Sequence, residues 1–101
     1  MLKNFRTYQL SVKFYQVCKT MKLPHYLQDQ LLHASSSVAL NLAEGSGKRT
    51  QKDKGKFYYH ALGSLKECQA IFDLHGVDET TRNLSNFLGA SIYKLCKSTG
   101  P

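Results

Sequence analysis

Negative charge is scarce in this chain: seven Asp and Glu stand against fourteen Lys and Arg, leaving a net charge of +7. A field of that sign draws phosphate backbones or anionic surfaces toward the protein. Long apolar runs are missing too, since no stretch approaches the roughly 20 residues that a membrane-spanning helix needs. The opening residues, MLKNFRTYQL, lack the continuous apolar core of a secretory signal. A cytoplasmic protein without a membrane partner is therefore expected. Cysteine is limited to Cys18, Cys68 and Cys96, far apart and with no C-x-x-C spacing. Neither a disulfide framework nor a zinc site is indicated, and reduced thiols are expected. Strand-like alternation of apolar and polar residues is absent throughout.

At 101 residues the chain fits one domain, taken as residues 1–101, with a modest core. Punctuation falls at Pro24, at Gly45 to Gly47, at Gly76 and at Gly100-Pro101, dividing the chain into four segments of helical length. The expected helices cover 4–22, 25–44, 50–75 and 79–97. Thr50-Gln51-Lys52-Asp53 reads as a capping box, Asp78 as the N-cap of the last helix, and Gly45 and Gly76 as left-handed helix ends. Short connections between helices force neighbours to run antiparallel, so the predicted fold is all-α, an up-down-up-down four-helix bundle.

Two apolar stripes mark the first helix. Leu10, Phe14, Val17 and Met21 share one side, and Phe5, Tyr8, Val12 and Tyr15 share nearly the opposite one. One stripe suffices for a bundle core, which leaves Phe5, Tyr8, Val12 and Tyr15 as a candidate oligomer interface. In the third helix Phe57, Ala61, Leu65, Cys68 and Phe72 form the apolar band, while Gly63 and Ala70 offer a small-residue side for close helix approach.

The basic excess is uneven. Residues 1–56 hold ten basic and three acidic side chains, and residues 57–101 hold four of each. Lys48, Arg49, Lys52, Lys54 and Lys56 form the densest cluster, beginning in a glycine turn and entering a helix N-terminus whose N–H groups also attract phosphate. Arg6 and Lys13 add charge on the first helix, which carries no acid. Tyr58 and Tyr59 follow the cluster and Tyr8 and Tyr15 lie among the first lysines, so base stacking is an option. Nothing resembles a base-reading motif, so salt-sensitive affinity with little sequence preference is expected, with RNA phosphates as the partner.

Catalysis finds no support. Gly45-Ser46-Gly47-Lys48-Arg49 lacks the spacing and the preceding strand of a nucleotide loop. Glu44, Glu67, His60, His33 and the run Ser35-Ser36-Ser37 assemble no nucleophile and base, and the histidines lack metal-ligand spacing. The expectation is a protein that is not an enzyme and needs no cofactor or metal. Gln30, Ser37, Asn41 and Glu44 share one side of the second helix and face Ser64 and Glu67 of the third. They are read as a structural polar layer that sets register.

Residues 30–48, QLLHASSSVALNLAEGSGK, with ALGSLKE at 61–67, resemble the four-helix-bundle family first noticed as reading frames in intervening sequences of 23S ribosomal RNA. Gln30, Ala34, Ser37, Asn41, Ala43, Glu44, Gly45, Gly47, Gly63, Ser64 and Glu67 carry the likeness. The family's arginine pair is replaced here by Leu32 and His33, so no role of those arginines transfers. The family also contains accessory proteins of diversity-generating retroelements, which form five-fold rings and bind a reverse transcriptase and its template RNA. The resemblance thus implies a homopentameric accessory subunit that binds a reverse transcriptase and its template RNA in a retroelement. The alternatives are a ribosomal-RNA-associated protein and a pure interaction module docking on an acidic partner.

Overall fold

The helical segments form almost where the punctuation puts them. A computed structural model, describing residues 2–100, shows one 3₁₀ turn at Leu2–Asn4, then α1 (Arg6–Lys19), α2 (His25–Ser46), α3 (Gln51–His75) and α4 (Glu79–Ser98). Met1 and Pro101, the ends of the expected domain, lie outside the described residues. Each helix packs on the next and α1 closes against α4, as an up-down-up-down all-α bundle requires. The rod measures 40 × 26 × 22 Å. Aromatic pairs tie the diagonal helices α1 and α3 together, with ring centroids 6.1 Å apart for Phe14 and Phe72 and 6.3 Å for Phe5 and Tyr58.

The helix ends follow from local chemistry. Thr50 Oγ1 accepts the Asp53 N–H at 3.1 Å, so the threonine half of the capping box is formed. The Asp78 carboxylate accepts the Thr81 N–H at 3.2 Å and the Thr81 hydroxyl at 2.7 Å. Gly76 has φ +97°, the positive value expected of it. Gly45 differs: it stays inside α2, which runs on to Ser46, and no left-handed residue ends that helix. Its role is steric, because a Cβ there would lie 2.7 Å from the Tyr58 ring. α1 is shorter than expected, tightening into three-residue hydrogen bonds at Thr20 and Met21.

The core consists of fully buried Phe14, Leu31, Leu42, Leu65, Phe72 and Leu88, with their neighbours. Burying each such side chain contributes about 1.5–3 kcal/mol. α1 buries neither expected stripe as a unit. Its most buried residues are Thr7, Ser11, Phe14 and Cys18, on a line between the two stripes. Leu10 and Met21 pack on one flank of that line, Phe5 and Tyr8 on the other. Each stripe thus gives only part of itself to the inward face, Leu10, Phe14 and Met21 from one and Phe5 and Tyr8 from the other, while Phe5, Tyr8, Val12 and Tyr15 are all half-buried within the single chain. Polar atoms on that face are satisfied: Thr7 and Ser91 hydroxyls share a 2.6 Å bond, and Ser11 donates to the Tyr8 carbonyl at 2.6 Å.

Cys18, Cys68 and Cys96 are all buried and unpaired with one another. Burial pushes the Cys18 thiol up to about 12 and raises Cys68 and Cys96 as well, so none is a ready nucleophile at neutral pH. Gly63 and Ala70 are exposed, and nothing lies within 4 Å of a Cβ built on Gly63. The close helix approach expected there occurs instead at Gly45, at Gly55 against Thr99, and at Gly89 against Leu65.

The two glycine types respond oppositely to alanine. Gly45→Ala forces the Tyr58 ring aside and costs about 1–3 kcal/mol, whereas Gly63→Ala gains about 1 kcal/mol of helix propensity. Thermal melts read this as a lowered and a raised midpoint respectively, by about 4–8 °C per kcal/mol. The Asp78 cap has a pH signature. Its hydrogen bonds hold the carboxyl below its ordinary 3.8, so the stabilisation is present above that value and is lost as pH falls through the lower folded-state value. Asp78→Asn keeps a cap without the titration, and its stability falls less steeply below about pH 4 than that of the parent.

Candidate nucleic-acid interface

The basic cluster begins where α2 ends. Gly47 closes the helix with ordinary right-handed geometry, and Lys48, Arg49 and Thr50 lead directly into α3. A helix N-terminus carries partial positive charge, so lysines in its first two turns are locally unfavourable. The chain offsets this with the Thr50 cap and Asp53 in the first turn.

The five basic residues are not equivalent. Lys48 Nζ pairs with Glu44 at 3.0 Å and lies 5.1 Å from the Phe57 ring centroid. Lys54 Nζ donates to the Ser46 carbonyl at 3.2 Å, stitching α3 to the end of α2. Lys56 Nζ lies 5.9 Å from the centroid of the same Phe57 ring. Arg49, Lys52 and Lys56 are exposed and make no hydrogen bond or ion pair with another described residue. Arg49 and Lys52 carry the unengaged charge of the cluster, and Lys56 is engaged only through the Phe57 ring.

Antiparallel connectivity adds residues that distance in sequence conceals. The end of the bundle that holds the α2–α3 turn also holds the start of α1 and the finish of α4, whose Thr99 hydroxyl closes over Gly55. Lys3 and Lys97 therefore join the basic end, and Lys97 Nζ lies 5.9 Å from the Tyr93 ring centroid. In sequence Lys3 counts with the first-helix charge and Lys97 is not singled out, because a count along the chain does not show which residues the bundle brings to one end. At the opposite end Asp29, Asp73, Asp78 and Glu79 gather with Lys19, Lys22 and Arg82, so that end is close to neutral. There His25 faces Asp29 at 3.4 Å and Arg82 binds Asp73 at 2.8 Å.

Arg6 and Lys13 lie apart from the α2–α3 cluster. They line an open groove between α1 and α4 with Leu10, Phe87 and Ser91. Of the tyrosines, Tyr58 is only 6% exposed, packed against Phe5 and the Gly45 backbone, and burial raises its hydroxyl pKa. Tyr58 is a core residue and offers no stacking face. Tyr59 is 50% exposed and borders a groove with Lys52 and Lys56. Tyr8 and Tyr15 are half-buried, and Lys19 Nζ lies 5.6 Å from the Tyr15 ring.

The polar layer narrows to three residues. Ser37 and Ser64 hydroxyls meet at 2.9 Å, and Asn41 Nδ2 donates to the Ser37 carbonyl and hydroxyl at 2.9 and 3.0 Å. Gln30, Glu44 and Glu67 are exposed on the rim of this seam, because their positions on α2 and α3 lie just outside the buried faces. Ser35 and Ser36 donate to backbone carbonyls one turn earlier. Among the described residues no group of three His, Cys, Asp or Glu gathers to hold a metal, and no helix is long and apolar enough to cross a membrane.

Fold and surface together define a basic four-helix bundle with its charge polarised along the long axis. The chain belongs to the 23S rRNA-intervening sequence protein family, whose model matches residues 5–98. No individual curated protein and no solved structure matches it.

Glu44 is the carboxylate that pairs with Lys48. Replacing it, Glu44→Gln, removes an exposed pair whose own stabilisation is about 0–1 kcal/mol. Heparin chromatography will therefore show elution at higher salt with an unchanged melting profile.

Proposed function

We propose that this protein is a non-enzymatic RNA-binding scaffold that holds phosphates at the basic end of its bundle. The observation that carries the reading is the axial sorting of charge. Arg49 and Lys52 stand unengaged beside Lys56, Lys3 and Lys97 at one end, with Glu44 and Asp53 as the carboxylates nearby. At the other end Asp29, Asp73, Asp78 and Glu79 offset Lys19, Lys22 and Arg82. Such a surface binds through counterion release, with side chains meeting phosphate oxygens rather than base edges. Lys48 and Lys54 are secondary contacts, since each has an intramolecular partner to leave. Arg6 and Lys13 lie along the bundle side, where a longer RNA continues.

The family likeness extends the proposal to a homopentamer, in which a ring repeats the basic end and turns modest affinity into avidity. The matched family is described by a 23S rRNA intervening sequence, which favours the ribosomal-RNA-associated reading over service to a reverse transcriptase. A cytoplasmic location accords with either.

The test is a salt titration of RNA binding. With about five phosphate contacts, log affinity falls against log salt with a slope near −4. The triple variant Arg49→Glu, Lys52→Glu, Lys56→Glu flattens that slope by about 3. An unchanged slope in the variant, or no RNA retention by the parent at low salt, overturns the proposal and leaves docking on an acidic protein as the use of the charge.

A further inference from the structure

The seam between α3 and α4 carries more than the basic end. Two open grooves follow one another along its outer side. The first, at the basic end, is lined by Gln51, Lys52, Lys56 and Tyr59 with Thr99 and Gly100. The second continues along the seam past Leu62, Lys66, Gln69, Gly89 and Tyr93. No carboxylate lines either groove among the described residues.

Its two tyrosines are the notable feature. Tyr59 is 50% and Tyr93 53% exposed, one on each helix, and each stands beside lysines: Lys52 and Lys56 for the first, Lys66 and Lys97 for the second. Between them the floor is apolar and low, since Gly89 presents no side chain and a Cβ there would lie 3.3 Å from Leu65. Flat rings beside cations over a shallow apolar floor are the elements of a surface that holds bases by stacking and the strand by its phosphates. A duplex keeps its bases inside and cannot use the tyrosines.

Resting on the phosphate-binding reading of the basic end, we propose that the α3–α4 seam is a track for a single-stranded nucleic-acid segment, with Tyr59 and Tyr93 as stacking platforms. From Lys52 to Lys66 the track runs about 21 Å at 1.5 Å per helical residue, enough for about four nucleotides of extended strand. Lys66 and Lys97, from the half of the chain with no net charge, then act with the α2–α3 cluster as one surface.

Fluorescence anisotropy with a labelled oligouridylate and a fully paired RNA hairpin, at one low salt concentration, tests this. Tyr59→Ala and Tyr93→Ala each weaken oligouridylate binding about tenfold and leave the hairpin within about twofold of the parent, while Tyr59→Phe and Tyr93→Phe retain both. Circular dichroism confirms that these surface variants fold. If the alanine variants bind oligouridylate like the parent, or lose both RNAs equally, the track is wrong while the phosphate-binding reading stands. If the parent binds neither RNA, both fall together.

Discussion

The four residues from Gly47 to Thr50 that join α2 to α3 constrain the rest of this molecule. So short a turn makes the two helices antiparallel neighbours, and the bare Gly45 backbone lets Tyr58 seat against α2 one residue before it ends. The lysine-rich segment is thereby pinned at one end of the rod. Because the chain goes up and down twice, both termini arrive at that same end. A polarity hardly visible as a sequence average becomes an axis of charge.

That arrangement has a local cost. Like charges crowd a helix N-terminus, where the backbone dipole is also positive. Glu44, the Phe57 ring between Lys48 and Lys56, and the Ser46 carbonyl each take up part of the field. Arg49 and Lys52 receive no such help from described residues. Under the proposed function a polyanion settling there would relieve the repulsion, which would link binding to folding and raise the apparent stability of the bundle.

Most of the architecture was legible beforehand because it rests on local signals. Thr50, Asp78 and Gly76 act through chemistry within one helical turn, and their segments end within a few residues of where these caps place them. What periodicity could not resolve was direction. The two stripes of α1 lie either side of a line of small and polar residues, Thr7 and Ser11 among them, and a wheel that scores only apolar residues does not see an inward face centred on hydroxyls. Tyr58 and Tyr59 likewise look equivalent in sequence, yet one packs on Gly45 and the other faces solvent. The polar ladder was half right as geometry: Ser37, Asn41 and Ser64 meet, while Gln30, Glu44 and Glu67 fall on the rim. In the candidate site, the placing of Lys3 and Lys97 was invisible to a count of charge along the chain, since only folding brings them to the end that holds residues 49–56.

The claim that RNA meets one end of the rod is tested most directly by following backbone amide resonances during titration with an unlabelled oligouridylate at low salt. The account predicts shifts confined to Arg49–Tyr59 and Lys94–Gly100, extending along α3 and α4 toward Lys66 and Tyr93, with residues 20–29 and 73–82 unmoved. Shifts centred on that opposite, acid-bearing end, or spread evenly over all four helices, would contradict it.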